Sequence, residues 1–304
     1  MSLRTDIKRI DCRAILEESD EQKKAEMMQY LAQQCRLDVF DVLHDAQTGH
    51  WGGASSSAEL LVTLYFHIMN VRTNEPRWQG RDRLVLSKGH ASCMLYSVLA
   101  NRGFFELEEL CTFRKFHSRL QGHPCMNKLN CLDMSTGSLG HGLSIGLGMA
   151  IAAKVTGADY WSFVLVGDGC LNEGQTWEAV MAAAKFRPEK LVLLVDYNKV
   201  QLDGPSDKIM PMDPLPEKFK AFNCNVSECI FDGHSIKDIL ASWRWIRAQK
   251  EWPVVVIYRT HKGCGISFTS DQSKWHGSPI DKTSYEKGRP ELMNRLKELE
   301  AAID

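Results

Sequence analysis

The sequence predicts an α/β protein, a doubly wound and mostly parallel sheet with helices on both faces. Three observations predict it. Residues 162–166 and 191–196 are continuous apolar runs of strand length, separated by a helical stretch over 173–185. Strands buried on both faces read this way, and parallel neighbours need a crossover helix between them. A further run at 253–259 follows another helical stretch near 236–250, so strands and helices alternate.

The other elements follow in order. Residues 20–47 read as a helix, because Met27, Leu31, Cys35, Val39, Leu43 and Ala46 recur at spacings of three and four and form one buried stripe. That helix gives out at Thr48-Gly49-His50-Trp51-Gly52-Gly53. Ser55, Ser56 and Ser57 are cap candidates for a second helix through 60–65. Residues 83–87 read as a strand ending at Lys88-Gly89-His90, with a helix over 91–102 behind it. The stretch 118–135, with Gly122, Pro124 and several Asn, reads as loop. Residues 137–148 are Gly-rich and open a helix whose small residues at 149–153 suit close packing. A last helix runs from 285. With no repeat, low-complexity tract or linker, residues 1–304 read as a single domain, with 1–47 a helical extension within it.

Composition narrows the class. A chain of 304 residues can fill one large domain or two small ones. Hydrophobic residues at 44% and charged residues at 25% suit a soluble globular protein, and no apolar run nears the ~20 residues that span a bilayer. A net charge of −1 calls for neither nucleic acid nor an anionic membrane. Residues 1–13 are charged and lack the apolar core of a secretory signal. The ten cysteines include no C-x-x-C pair, so they read as reduced thiols of a cytoplasmic protein rather than zinc ligands.

Ligands of an open parallel sheet bind beyond the carboxyl ends of its strands. Asp168 and Asn198 stand there, at the ends of the two strands of one βαβ unit. Both offer hard oxygen donors suited to Mg²⁺ or Ca²⁺. Gly167 and Gly169 allow close approach of a diphosphate, and the following helix offers it free N–H groups. Gly-Asp-Gly alone is an ordinary turn. Strand, Gly-Asp-Gly, helix, strand and Asn together point to a metal–diphosphate site. Four histidines also sit in Gly-flanked loops at element ends, namely His50, His90, His123 and His276. Each alone reads as a solvated polar residue. Four such imidazoles can move protons at sugar hydroxyls and carbonyls near neutral pH.

Gly167-Asp168-Gly169-Cys170-Leu171-Asn172-Glu173-Gly174, followed by Asp196-Tyr197-Asn198-Lys199-Val200, closely resembles the thiamine diphosphate motif of transketolases. The four histidine motifs resemble that family's in the same order, and the resemblance covers residues 48–277. It implies that Asp168, the Asn198 side chain and the Val200 carbonyl bind a metal that bridges the two phosphates of thiamine diphosphate. It implies that His50, His90, His123 and His276 line the substrate channel and meet the diphosphate, thiazolium and donor sugar. Thr136-Gly137-Ser138-Leu139-Gly140 resembles the loop that meets the aminopyrimidine ring. Glu173 resembles a glutamate near the dimer interface that links to the other half's catalytic acid. The sequence departs from the family at Trp51, at His141 and at Cys125, and the first and third departures bear on the shape of the substrate channel.

The resemblance also implies what must be supplied from elsewhere. In the family, a glutamate on a second, pyrimidine-binding domain contacts the cofactor ring, and the present sequence stops where that domain begins. The reading is therefore the diphosphate-binding subunit of a split transketolase, a transferase moving a two-carbon ketol unit from a ketose (phosphate) donor to an aldose (phosphate) acceptor. The expected partner is a C-terminal, pyrimidine-binding subunit in an α2β2 assembly. Two other thiamine enzymes share the metal motif, 1-deoxyxylulose-5-phosphate synthase and the α subunit of 2-oxo-acid dehydrogenases. Residues 136–142 and the early histidine motifs favour the transketolase. A non-catalytic thiamine diphosphate-binding protein is the alternative of another class.

Overall fold

The structure, a computed structural model, describes residues 7–303. Residues 1–6, part of the charged start, and Asp304 lie outside the described residues. The helices are α1 (Cys12–Glu17), α2 (Glu21–Ala46), α3 (Trp51–Ser55), α4 (Ala58–Thr63), α5 (Ser92–Arg102), α6 (Gly142–Thr156), α7 (Gly174–Phe186), α8 (Ser206–Ile209), α9 (Leu215–Ala221), α10 (Ile236–Ala248) and α11 (Lys282–Glu300). The strands are β1 (Arg83–Leu86), β2 (Ser162–Gly167), β3 (Leu191–Tyr197), β4 (Asn225–Val226), β5 (Phe231–Asp232) and β6 (Val254–Arg259). They form one sheet in the order β1-β2-β3-β6-β4, with β5 also on β6, and every pair is parallel.

Register explains why both faces are covered. Phe163, Val192 and Val254 are aligned across three strands and face one core, shared with Leu31, Leu61, Leu95 and Ile239 of α2, α4, α5 and α10. The next residues, Val164, Leu193 and Val255, face the opposite core, with Leu147, Val180 and Phe219 of α6, α7 and α9. Apolar side chains on both faces account for the continuous runs in the sequence.

Helix α2 departs from the single-stripe expectation. Asp20 caps it by accepting from the Lys23 N–H, but the helix is buried nearly all round, including Gln33, Gln34, Arg36, Asp38 and Asp41. Each polar group is matched. Arg9 binds Asp38 through both carboxylate oxygens, Tyr285 and Arg289 bind Asp41, and Arg36 binds Glu59 at 2.5 Å. Buried polar groups with partners cost little, so this face needs no apolar signature.

The loop expected over 48–53 is also corrected. The chain turns helical at Trp51, whose ring packs edge-on against Phe40 and whose indole N–H donates to Thr269 Oγ1 at 3.0 Å. Burial of that large ring outweighs the two glycines behind it. None of the three serines caps a helix through its side chain. Ser55 and Ser57 donate to the Gly52 and Gly53 carbonyls, and Ser56 reaches Asp196 at 2.7 Å. Helix α6 begins at Gly142 and rests directly on the sheet, because a Cβ on Gly146 would stand 2.2 Å from Val164 Cγ2. The carboxyl ends of β1, β2, β3 and β6 thus converge beside the N-termini of α6 and α7. No helix among the described residues is long and apolar enough to cross a membrane.

Candidate functional site

A cavity of about 270 Å³ opens at these strand ends. The three proposed metal donors, Asp168, Asn198 and Val200, all line it, as do Gly167, Gly169, Leu139, Glu173, His90 and His276. Asp168 is buried. One oxygen accepts from Ser206 Oγ at 2.6 Å and the other from the Gly169 N–H at 3.0 Å, with no ion-pair partner among the described residues. Burial raises its pKa, opposed by the Ser206 hydrogen bond and reinforced by the nearby Asp196 charge. Asn198 Oδ1 accepts from the Val200 N–H at 3.1 Å, and the Val200 carbonyl accepts from Lys262 Nζ at 2.8 Å. A buried carboxylate, an amide oxygen and a backbone carbonyl at one spot are a hard-oxygen donor set. Among the described residues no cluster of three His, Cys, Asp or Glu could hold a metal. The oxygen set, with a single carboxylate, leaves room for oxygen donors of a bound ligand.

The glycines test that fit. Gly167 has φ −95°, and neither Gly167 nor Gly169 is left-handed. A Cβ would come no nearer than 3.9 Å to any protein atom at Gly167, or 4.0 Å at Gly169. Neither backbone strain nor packing requires glycine at these positions. What a side chain would fill is the cavity itself, so these residues suit a group that needs the backbone bare. Gly167→Val is expected to leave the melting temperature within a few degrees while weakening thiamine diphosphate binding about tenfold or more, by blocking the cradle. Calorimetric titration of both proteins checks this.

All four predicted histidines come together. Ring centroids are 4.9 Å apart for His90–His276, 5.3 Å for His50–His276, 5.4 Å for His50–His90 and 6.4 Å for His50–His123. His276 Nδ1 lies 2.8 Å from Lys262 Nζ. An ammonium only donates, so Nδ1 accepts and the ring proton sits on Nε2. His50 Nδ1 is buried with no hydrogen-bond partner, as is Thr136 Oγ1. Burial, and then the Arg114 charge, hold His50 down at about 4, and burial with Lys262 holds His276 at about 3. Burial also lowers His90 and His123, helped by Lys88 and Arg114 respectively.

Neutral rings at physiological pH follow, each with one nitrogen that donates and one that accepts a hydrogen bond. Between pH 6.5 and 4 the unfolded chain binds protons at His50 and His276 that the folded chain refuses. Stability is therefore expected to rise with pH across that window and to fall as pH drops through it. Histidine ring NMR should show His50 and His276 still neutral at pH 5.5, where exposed histidines are charged.

The remaining predicted residues also gather here. Gly137 adopts φ 148° and lies against His123, and a Cβ on Gly89 would meet Thr136 Oγ1 at 2.8 Å. The loops carrying His90, His123 and Ser138 thus pack against one another. Ser138 is exposed, while Leu139 faces the cavity and its carbonyl accepts from Gln175 at 2.8 Å. Glu173 stands at the N-cap of α7, half-buried, its carboxylate without a partner among the described residues. Trp51 is buried against Phe40 and is not among the residues that line the cavity.

Two lysines and an aspartate escaped the sequence reading. Lys88 and Asp196 form a fully buried ion pair beneath the cavity, joined by the Ser56 and Thr260 hydroxyls. Burial pushes Asp196 up, but Lys88 and the hydroxyls hold its pKa below the usual value. Lys262 is drawn down to about 8 by burial, opposed by Asp168. The available signals were a charge inside an apolar strand, at Asp196, and a lysine just before Gly89-His90.

The family model for the transketolase thiamine diphosphate binding domain matches residues 27–295. One subunit of an apulose-4-phosphate transketolase from Phocaeicola vulgatus is 35% identical over 277 residues, covering 91% of this chain and 98% of the relative. A 6-deoxy-6-sulfo-D-fructose transketolase subunit of Clostridium sp. is 35% identical over 265 residues, covering 87% and 96%. Among solved structures, a transketolase of Campylobacter jejuni superposes with a TM-score of 0.80 at 27% identity. That match covers 91% of this chain and 46% of the other.

Proposed function

Because the chain belongs to the transketolase family through its thiamine diphosphate-binding domain, we propose that it is the diphosphate-binding subunit of a split transketolase. It transfers a two-carbon ketol unit from a ketose to an aldose, and works only with a companion chain. The observation that carries this reading is convergence. The buried Asp168 carboxylate, without an ion-pair partner among the described residues, faces the same cavity as the bare Gly167–Gly169 backbone and the imidazoles of His90 and His276.

Asp168, the Asn198 amide and the Val200 carbonyl would hold Mg²⁺ or Ca²⁺ over the diphosphate, with Lys262 giving up its bond to Val200. Gly137, Ser138 and Leu139 would border the aminopyrimidine, and His90 would reach the diphosphate. Thiamine diphosphate, when bound, supplies the nucleophilic carbon that carries the two-carbon unit. The chain's own residues do the rest. His276, with its proton on Nε2, donates to a sugar oxygen. His50 offers the Nδ1 that is unpaired among the described residues, His90 and His123 complete the row, and low pKa values keep all four rings neutral, able to donate and accept hydrogen bonds at sugar oxygens. Glu173, at the α7 N-cap and without a partner among the described residues, would link to a carboxylic acid of the companion.

The chain spans nearly all of the two subunit relatives but under half of the solved transketolase. We therefore propose a pyrimidine-binding companion in an α2β2 assembly, with 1–304 as one domain and 1–47 part of it. Ten free cysteines suit a cytoplasmic setting. The relatives named for a sugar phosphate and a sulfo sugar suggest a donor with an anionic end. The test is a competitive assay of the paired chains with a ketose phosphate and a 2-oxo acid. Transfer from the ketose alone, lost in His90→Ala and His276→Ala, is expected. Turnover of the 2-oxo acid, or undiminished transfer in both variants, overturns the assignment.

A further inference from the structure

His141, one of the departures from the family, is exposed and is not among the residues that line the cavity. Its ring is nevertheless tied down. His141 Nδ1 lies 3.0 Å from Gln175 Oε1, and Gln175 Nε2 donates to the Leu139 carbonyl at 2.8 Å. That carbonyl only accepts, which fixes the orientation of the Gln175 amide. The amide oxygen also only accepts, so His141 Nδ1 carries the proton. One turn, residues 139–141, thus grips both ends of a single side chain on the first turn of α7.

The turn has no slack against α7. Gly140, at φ 78°, is wedged so that a Cβ would stand 2.6 Å from Glu173 Cβ and 2.7 Å from Thr176 Oγ1. The Thr176 hydroxyl lies 2.7 Å from the Cys170 carbonyl and 3.2 Å from the Gly140 carbonyl, which joins the turn to the loop after β2. In the cavity, Leu139 Cδ2 stands 4.0 Å from where a Cβ on Gly169 would be. Gly137 and Ser138, just before Leu139, are exposed. Beyond the turn's own bond, from the His141 N–H to the Ser138 carbonyl at 3.2 Å, the Gln175 amide is what holds the peptide after Leu139. The gap between Leu139 and the Gly167–Gly169 backbone is therefore set by how α7 holds residues 139–141.

We propose that His141 is a positioning residue, which acts through Gln175 to set the Leu139 wall against the Gly167–Gly169 backbone and so tunes how tightly the cavity closes on the ring of a bound cofactor. It makes no contact of its own with that ring. The inference rests on the proposed function for the identity of the cofactor. A device of this kind acts on the ring and leaves the diphosphate alone, and that separation can be measured.

The experiment titrates thiamine diphosphate and, separately, inorganic pyrophosphate, each with Mg²⁺, into the full chain by calorimetry. Thiamine diphosphate is expected to bind about threefold more weakly in His141→Ala, and about fivefold more weakly in Gln175→Leu, which leaves the Leu139 carbonyl without its donor. Pyrophosphate affinity should stay within about twofold of wild type in both variants, since neither side chain lines the cavity. His141→Asn, whose amide N–H can stand in for Nδ1–H, should return thiamine diphosphate binding to near the wild-type value. Unchanged thiamine diphosphate affinity in His141→Ala and Gln175→Leu, equal weakening of both ligands, or no recovery in His141→Asn overturns the positioning role. A wild-type chain that fails to bind thiamine diphosphate, or pyrophosphate, would instead strike the proposed function.

Discussion

Replacing Asp168 with alanine should abolish the stabilisation of this chain by thiamine diphosphate and Mg²⁺. A ligand at a hundred times its Kd stabilises the folded state by about 2.7 kcal/mol, which thermal melting resolves easily. Asp168 is the only carboxylate among the three proposed metal donors, so its loss is expected to raise the apparent Kd by roughly a hundredfold or more. The free chain should lose little, since burial already disfavours the Asp168 charge, and among the described residues Lys262 attracts it without forming an ion pair. The variant should therefore melt near the wild type without ligand and fail to gain with it. A variant that gains as much as wild type would remove Asp168 from the metal site.

Asp196→Ala should produce the largest loss of stability. Lys88 is about 1% exposed and Asp196 is fully buried. Removing the carboxylate leaves a buried ammonium whose remaining hydrogen bond among the described residues is to the Ser56 hydroxyl. Breaking a buried pair from one side typically costs about 3–5 kcal/mol. Adding Lys88→Met to that variant removes the stranded charge and should recover a large share of the loss. Urea unfolding of wild type, single and double variants closes the cycle. A single variant within about 1 kcal/mol of wild type, well under the usual cost of a broken buried pair, would mean that Lys88 finds another partner.

These two residues also mark where the sequence is readable. Asp168 stands in a motif of adjacent residues between two strands whose apolar runs are continuous, so the β2–α7–β3 unit was legible almost to its ends. The four histidines were legible as motifs, and their meeting in one row follows from the loops being set at the same end of the sheet. Their low pKa values were not legible, because burial and the charges of Arg114 and Lys262 arise only on folding.

The Lys88–Asp196 pair joins residues 108 apart in the chain, so no local pattern announces it. Strands β4 and β5, two residues each, are too short to show a period. Helix α3 was hidden by Gly52 and Gly53, whose low helix propensity is overridden by burial of Trp51. The polar side of α2 concealed its burial, since Arg9, Glu59 and Arg289 come from elsewhere to satisfy it.

The central claim is that this chain holds the diphosphate end of a cofactor whose other end belongs to a second polypeptide. Calorimetric titration of thiamine diphosphate with Mg²⁺ tests it most directly, on the chain alone and on the chain mixed with its companion. The account predicts weak, metal-dependent binding alone that tightens strongly with the companion and disappears on removal of Mg²⁺. Absence of binding in both conditions, or binding indifferent to the metal, would contradict it.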